Sequence, residues 1–274
     1  GADLGKGFEY KSYVPASGKN PTDLMFDDSF NTDVFSIFGQ YSVDLSDVTE
    51  LSLEGRYDKE KRSVTNNVPG VASALYYGGG APINPAMAAV GDTIPSRDKS
   101  FDQFQPKISL TTSGENTTVY ASYGVGFRSG GFNSSGSAAT TEFWLNSGNP
   151  FGLGVVGAQL GVSDTFKKEV SKSFELGFKG RYLDGRLEVN GAIFETDVDD
   201  NEVFEFFAGP WGLLRVVTNI DQLDISGSEL DFKYAVSDNL TLDGGFGFTD
   251  GEIKKNAHRP NTVGNNAPLA PEHT

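Results

Sequence analysis

Hydrophobic and polar residues alternate along most of the chain with a period of two. In the segment Thr49–Asp58, for example, Leu51, Leu53 and Tyr57 occupy one set of positions and charged residues fill much of the other. Successive side chains of a β-strand point to opposite faces of a sheet, so this alternation predicts strands with one apolar and one polar face. Eight segments are predicted to be strands: Val34–Leu45, Thr49–Asp58, Phe104–Thr111, Thr118–Arg128, Ser173–Tyr182, Arg186–Asp197, Leu213–Ala235 and Leu240–Thr249.

The connections between the predicted strands alternate between tight turns and mostly long segments. The tight turns are rich in Asp, Asn, Ser and Gly, the residues that favour turn conformations. A transmembrane β-barrel has this asymmetry, with short periplasmic turns and longer extracellular loops, whereas a soluble sandwich mixes loop lengths at both ends. The tight turns are Ser46–Val48, Ser113–Asn116, Asp184-Gly185 and Ser237–Asn239, and the other connections are Lys59–Lys99, Ser129–Lys168, the shorter Ala208–Gly212 and the tail from Lys255.

One turn is specific enough to predict which residues pair across a hairpin. Asp184-Gly185 is a favoured dipeptide for a two-residue type I′ turn, because both central residues of that turn need a positive φ. If these two residues form the loop, Arg181 lies opposite Glu188 on the polar face and Leu176 lies opposite Ile193 on the apolar face. A slip of one residue would set apolar side chains against polar ones, so a single register satisfies both faces.

The composition agrees with many strands and excludes a helical membrane protein. The 274 residues include 34 Gly, 21 Phe and 10 Tyr, a mix that suits strands joined by turns. No run approaches the ~18 to 20 apolar residues that a membrane helix needs. A barrel remains compatible with the modest average hydropathy, because alternate residues of each strand face the lipid and the lumen. A soluble β-sandwich, with its apolar faces in a core, is the alternative interpretation.

Charge and residue content exclude several kinds of site. The chain has no Cys, which removes disulfides, thiolate catalysis and Cys-ligated metals. Its two histidines, His258 and His273, are too few for a usual zinc site, and both lie near the C-terminal end. The net charge of −15 argues against nucleic acid as a partner, since phosphate binding needs clustered Lys and Arg. We therefore expect a protein that is not an enzyme and carries no cofactor.

Two short motifs look like binding sites but have the wrong spacing. Asp197–Glu202 places oxygen ligands at alternate positions as a calcium loop does, yet Glu202 stands where that loop needs Gly and Ala208 where it needs Glu. Gly124–Gly126, followed by Gly130-Gly131, superficially looks like a phosphate-binding loop, but these glycines begin within a predicted strand and run into a loop with no helical pattern. We predict a solvent-facing acidic strand end for the first motif, packing glycines for the second, and no metal site.

Several stretches, in order along the chain, resemble the TonB-dependent receptor family, and especially its iron-complex branch. Phe104–Leu110 looks like the strand before a periplasmic turn. Val119–Asn133 looks like the rising strand, which ends here in Gly-Phe-Arg-Ser-Gly-Gly-Phe-Asn. The next hairpin is similar at Glu169, Phe174–Lys179, Leu183–Leu187 and Ala192–Phe194, and further matches are Asp197–Phe204, Gly227–Leu230 and Gly247–Asp250, so the resemblance covers most of residues 34–274.

The resemblance implies a fold, a location and a function. It implies a Gram-negative outer-membrane barrel of about 22 antiparallel strands closed around an N-terminal plug. Such a receptor takes up a scarce nutrient complex, a ferric siderophore by default, with energy from the TonB complex. Residues 1–274 would be a partial barrel domain of about eight up-and-down strands, an internal fragment in which the plug and the C-terminal strands are absent. Its partners would be outer-membrane lipid, the TonB complex through the missing plug, and a small-molecule or metal-chelate ligand.

Two functions from other classes remain alternatives to the receptor. A passive porin or adhesin barrel would share the strand pattern, and a plug-coding segment upstream in the parent gene would decide against it. A soluble all-β surface-binding domain would be recovered from a water-soluble fraction without detergent.

Two sets of residues are candidates for contacts inside the barrel and at its outer mouth. Charges of both signs on the predicted polar faces are expected to form a ladder in the lumen that holds strands together or contacts a plug. Aromatic residues in the long connections, and an arginine at the end of a strand, are candidates for binding a ligand, because loops commonly carry recognition. The ladder candidates are Arg56, Lys107, Arg128, Glu175, Lys179, Arg181, Glu188, Glu229, Asp231 and Lys233, and the ligand candidates are Arg128, Tyr76, Tyr77, Phe143, Trp144 and Trp211.

Overall fold

The computed structural model describes residues 26–68, 84, 86, 94–146, 160–209, 212–268 and 272–273. This part of the chain is dominated by β-structure. The strands are β1 (Asp28–Ser46), β2 (Thr49–Asn66), β3 (Arg97–Ser113), β4 (Thr117–Arg128), β5 (Gly131–Phe132), β6 (Thr165–Phe166), β7 (Glu169–Tyr182), β8 (Leu187–Gly209), β9 (Gly212–Ser237) and β10 (Leu240–Lys255). Eight of them form one antiparallel sheet in the order β1-β2-β3-β4-β7-β8-β9-β10, and β5 pairs with β6 in a sheet of two.

The eight predicted strands are confirmed, but several are longer than the alternation indicated. β2 continues to Asn66 and β3 begins at Arg97, so the predicted connection Lys59–Lys99 was too long at both ends. β8 and β9 likewise continue into the predicted connection Ala208–Gly212. These added stretches lie at the ends of the strands remote from the tight turns, which we call the outer ends.

The predicted hairpin register is confirmed. Arg181 pairs with Glu188 and Leu176 with Ile193 across the β7–β8 ladder. The backbone N–H of Arg186 donates a 3.2 Å hydrogen bond to the carbonyl oxygen of Leu183. Both residues between them have a positive φ, 55° at Asp184 and 83° at Gly185, as a type I′ turn requires. The turn dipeptide therefore fixed the pairing of the whole hairpin.

One face of the large sheet is apolar and exposed next to the tight turns. Its large side chains do not pack into a core, as expected for residues that face lipid. The apolar character of this face ends about ten residues from the turns, because the same alternate positions are charged beyond that point. For tilted strands this corresponds to an apolar band of roughly 25 Å. The exposed apolar residues include Ile37, Leu53, Ile108, Val119, Leu176, Ile193, Leu230 and Leu242, and the charged residues that end the face include Lys59, Asp102, Lys172, Glu195 and Asp250.

The opposite face is polar and carries the predicted charged ladder. Lys107 lies 3.3 Å from Glu54 on the neighbouring strand. Arg181 donates a 2.5 Å hydrogen bond to Glu188, and Asn190 donates a 2.9 Å hydrogen bond to Asp231. The pairing registers place all ten predicted ladder residues on this side of the sheet. Since such contacts are partly exposed, each contributes little to stability, and they mark the pairing of strands more than they strengthen it.

Aromatic rings lie over glycines of the adjacent strand in several ladders of the sheet. Tyr120 is paired with Gly177, and a Cβ atom on that glycine would meet the tyrosine ring at 2.5 Å. Phe178 covers Gly191 in the same way, with 2.6 Å to the hypothetical Cβ. Phe194 over Gly227 and Phe232 over Gly244 repeat the arrangement in later ladders. The missing side chain makes room for the ring, which covers an otherwise bare stretch of strand.

The β8–β9 hairpin projects farthest, and its alternation changes sides near Asp200. Val198 and Val203 pack in the same apolar cluster although they are five positions apart along the strand. Ile220 and Leu223 on β9 also share that cluster. Strict alternation would put each pair on opposite faces, so both strands reverse their faces here. The positive φ of 54° at Asp200 is the local backbone cause on β8.

The connections at the outer ends hold more structure than the sequence pattern predicted. The segment predicted as the loop Ser129–Lys168 contains β5, β6, a short helix at Ser137–Thr141 and a π-helical turn at Glu142–Asn146. The tail after Lys255 includes a 3₁₀ turn at Pro260–Thr262 and then folds back along β10, where Ala267 donates a 2.6 Å backbone hydrogen bond to Gly251. No helix in the described ranges has the length and apolar character to cross a bilayer.

Candidate functional site

The candidate site lies at the outer ends of β4, β7 and β8. Arg128 is the last residue of β4 and Glu169 the first residue of β7, and the antiparallel ladder pairs them directly. Glu202 follows the change of sides at Asp200 and meets the same arginine from β8. Three strands thus bring one guanidinium group and two carboxylates together.

Arg128 is clasped by both carboxylates. Its Nη2 atom lies 2.5 Å from Glu169 Oε2, and its Nε atom lies 3.3 Å from Glu202 Oε2. Half of the arginine side chain is exposed, whereas only 18% of Glu169 and 10% of Glu202 are. Glu169 Oε2 also accepts hydrogen bonds from the side chain of Asn201 and the backbone N–H of Glu202. We call Arg128, Glu169 and Glu202 the clasp.

Glu202 is the most buried side chain of the clasp. Burial raises the pKa of its carboxyl group from 4.5 to about 7 by penalising the charged form, and the nearby Glu169 carboxylate adds to the rise. Arg128 and Arg62 act in the opposite direction. Glu202 Oε1 is buried and has no hydrogen-bond partner among the described residues. The acidic strand end Asp197–Glu202 was predicted to face solvent, and for Glu202 that prediction was wrong, because its side chain is only 10% exposed beside Arg128.

A loop of small polar residues crosses the polar face beside the clasp. Asn133 accepts a 2.7 Å hydrogen bond from the backbone N–H of Val217 on β9 and donates a 2.8 Å bond to its carbonyl oxygen. Two residues later, the backbone N–H of Ser135 donates a 2.8 Å bond to Asp28 on β1. Five strands separate β1 from β9 in the sheet. The outer end of the sheet therefore curls around this loop.

Asp164 fixes the same loop from its far end. Its carboxylate accepts hydrogen bonds from the backbone N–H groups of Gly136 and Ala138, at 2.9 and 2.8 Å. Arg97 on β3 lies 3.5 Å from the same carboxylate and above the ring of Phe132. The loop is therefore anchored to the sheet by charge as well as by backbone hydrogen bonds.

A cavity of about 210 Å³ opens between this region and β9. Lys167 lies at its edge and forms a 2.7 Å ion pair with Asp200. That contact raises the pKa of the Lys167 ammonium group. The other polar residues that line the cavity are Ser163, Thr165, Thr218, Asn219, Asp221 and His258. A cavity with hydroxyl, amide and charged groups suits an oxygen-rich ligand group better than an apolar one.

The structure describes only part of the predicted ligand set. Arg128 lies at the outer rim as expected, but its charge is shared with two carboxylates. Tyr76, Tyr77 and Trp211 lie outside the described residues, and so does the side chain of Trp144 within the π-helical turn. Phe143 in that turn is exposed. The sequence analysis missed Glu202 and Asn133 as functional candidates, because only the fold brings them to Arg128 and to β9.

Comparison with known proteins gives a consistent result. The family model described as TonB dependent receptor-like, beta-barrel matches residues 1–274. A probable TonB-dependent receptor of Bordetella pertussis, BfrD, is 25% identical over 251 residues, which are 89% of this chain and 27% of that protein. The chain thus spans less than a third of the length of this relative.

Solved structures show the same architecture. The ferric yersiniabactin uptake receptor FyuA of Yersinia pestis matches with a TM-score of 0.59 and 14% identity, over 90% of this chain and 30% of that one. The ferric-catecholate import receptor Fiu of E. coli K12 matches with a TM-score of 0.57 and 21% identity, over 90% of this chain and 31% of that one. At these identities the likeness establishes the fold and nothing finer.

Proposed function

The chain belongs to the family of TonB-dependent receptor-like β-barrels, and from that premise we propose that its parent protein takes up a scarce nutrient complex across the bacterial outer membrane. A ferric siderophore is the proposed default substrate, and the TonB complex is the proposed source of energy. The family is one of transport receptors rather than of enzymes.

The observation that carries this proposal is the contrast between the two faces of the sheet. An exposed apolar band of about 25 Å, bounded by charged residues, suits the hydrocarbon layer of a bilayer. The opposite face holds the charged ladder, as the wet interior of a barrel does. A soluble sandwich would bury the apolar face, whereas many large side chains of this face, such as Leu176 and Leu242, are exposed.

We propose that the chain is one part of a larger barrel of about 22 strands. β1 and β10 are the edges of the eight-stranded sheet, and in a membrane their unpaired backbone groups need further strands as partners. At the turn end of the polar face, a cavity of about 390 Å³ is lined by residues that include Thr118, Lys179, Arg181 and Asn190. A plug in the lumen would contact this surface.

Ligand contact is proposed at the outer rim, where the clasp and the crossing loop lie. An anionic ligand group that reaches Arg128 must compete with Glu169 and Glu202, so this arginine alone is a weak anion site. Aromatic residues of the outer connections, Tyr76, Tyr77, Trp144 and Trp211, are the other proposed contacts.

Uptake of radio-iron by cells that express the whole parent protein tests the proposal. One catecholate and one hydroxamate ferric chelate are the probes, and a strain lacking the parent gene is the control. We expect accumulation of one chelate, and its loss when the TonB gene is deleted or the proton gradient is collapsed. Accumulation that persists without TonB would assign a passive porin. Recovery of the parent protein in a water-soluble fraction would assign a soluble domain.

A further inference from the structure

A second apolar surface lies on the β8–β9 hairpin beyond the apolar band. Phe204, Phe206 and Leu213 expose 58, 60 and 68% of their surface. They share one face, because Phe206 pairs with Arg215 and Ala208 pairs with Leu213. We call Phe204, Phe206, Leu213 and Arg215 the upper patch.

The upper patch faces outward, away from the polar side. Before Asp200, Val198 points to the polar side and Ile193 to the apolar side. After the change of sides, Val203 joins the cluster of Val198, so its neighbour Phe204 points outward. On β9 the buried residues Leu214 and Val216 alternate with the exposed Leu213 and Arg215, which confirms the assignment.

Charged residues separate the upper patch from the hydrocarbon layer. On β8 the exposed residues Glu195 and Asp197 follow Ile193 on the outward side. Phe204 lies nine positions after Glu195, which is about 20 to 25 Å higher for a tilted strand. Lipid tails do not reach that height. The surroundings there are the headgroups of outer-leaflet glycolipids and whatever stands among them.

Arg215 gives the upper patch an exposed positive charge. Its guanidinium carbon lies 4.7 Å from the centre of the Phe204 ring. The side chain is exposed, and no carboxylate of the described residues pairs with it. Most of the chain repels anions, because the net charge is −15 and carboxylates line the outward side just below. An anionic group beside the upper part of the β8–β9 hairpin is therefore attracted to Arg215.

We propose that the upper patch binds the phosphorylated saccharide of an outer-leaflet glycolipid. A planar guanidinium group binds phosphate oxygens through two parallel hydrogen bonds, and the hydrocarbon faces of sugar rings pack on exposed aromatic rings. The upper patch lies on the outward side of the sheet, whereas the proposed uptake uses the polar side, so the two functions are separate. Failure of one leaves the other standing.

Binding of lipopolysaccharide to the whole parent receptor in detergent tests the proposal. Arg215→Gln removes the charge, Phe204→Leu with Phe206→Leu removes the rings, and Arg186→Gln is a matched control at an exposed arginine beside a tight turn. The probes are rough lipopolysaccharide with a phosphorylated core, the same material after phosphatase treatment, and lipid A without a core. Native mass spectrometry and titration of a fluorescent probe measure binding, and heat-modifiable migration in gels verifies folding.

We expect Arg215→Gln to weaken binding of the phosphorylated core about tenfold, the scale of a charged hydrogen-bonded contact. Binding of the phosphatase-treated probe and of lipid A should be the same for the wild type, Arg215→Gln and Arg186→Gln. Equal binding of the phosphorylated core by wild type and Arg215→Gln would overturn the proposal. A dimer that Phe204→Leu with Phe206→Leu dissolves would also overturn it, because the patch would then bind a second copy of the receptor.

Discussion

Glu202 places one carboxylate oxygen 3.3 Å from Arg128 Nε and buries the other without a hydrogen-bond partner among the described residues. The first contact favours the charged carboxylate, and the burial disfavours it. Burial dominates, because the pKa of Glu202 rises to about 7. The buried Glu202 therefore stabilises the contact between the outer part of the β8–β9 hairpin and β4 more when it is protonated than when it is charged.

The stability of this region should depend on pH through Glu202. An acid whose pKa rises on folding contributes stability that is complete below its unfolded pKa of 4.5 and is lost as the pH rises through about 7. We expect the β8–β9 amides beyond Asp200 to exchange faster at pH 8 than at pH 5 after correction for intrinsic rates. The free energy of local opening should fall by on the order of 2 kcal/mol over that range. Glu202→Gln should flatten that dependence. Glu195→Gln, at an exposed carboxylate of the same strand, should leave it unchanged, and an equal response of the two variants would contradict the assignment.

The ring of Tyr120 over Gly177 predicts an unusual cost for the smallest possible substitution. Gly177→Ala puts a Cβ atom 2.5 Å from that ring, and displacing the ring also breaks the 2.6 Å hydrogen bond from the tyrosine hydroxyl group to Glu175. We expect a loss of about 1 to 3 kcal/mol in urea unfolding of the whole receptor. Gly245→Ala is the control on the same face, since its nearest neighbour is 3.6 Å away, and it should stay within about 0.5 kcal/mol of the wild type. Similar costs for the two variants would show that the close approach is absent.

The two faces of the sheet should respond differently to charge. Leu176→Arg or Leu242→Arg should cost about 2 to 4 kcal/mol near the middle of the bilayer, because the guanidinium group enters hydrocarbon. Lys179→Ala, on the polar face, should cost much less. Folding of the whole receptor into lipid vesicles at increasing urea concentration measures the difference. Equal tolerance at the three positions would refute the face assignment.

This chain contains no cysteine, so a cysteine introduced into it can report which end faces the cell exterior, with the unsubstituted parent protein as the labelling control. Ser96→Cys lies at the outer end of β3, and Glu115→Cys lies in the tight turn between β3 and β4; both positions are exposed. A membrane-impermeant maleimide added to intact cells should label Ser96→Cys and spare Glu115→Cys, whereas lysed cells should show both labelled. Labelling of Glu115→Cys alone in intact cells would reverse the orientation.

The sequence predicted the membrane-level part of the sheet well and its outer part poorly, for one physical reason. Within the apolar band one side of each strand meets lipid and the other meets water, so alternation appears in the sequence. Above the band both sides are wet, and Lys59–Asn66 continues β2 with no alternation of apolar residues. There the strand is maintained by pairing with β1 and β3, which no local pattern reveals. The burial of Glu202 could not be predicted from the sequence for a related reason, since it depends on residues far away in the chain.

The glycines beneath aromatic rings also protect the sheet against an error that alternation cannot prevent. A strand that slips by two residues keeps every side chain on its correct face, so lipid and water do not oppose the slip. Such a slip would move Phe178 away from Gly191 and Phe232 away from Gly244, and it would press each ring against a position that bears a side chain. The aromatic–glycine pairs thus select the native register over a register shifted by two residues while the strands assemble.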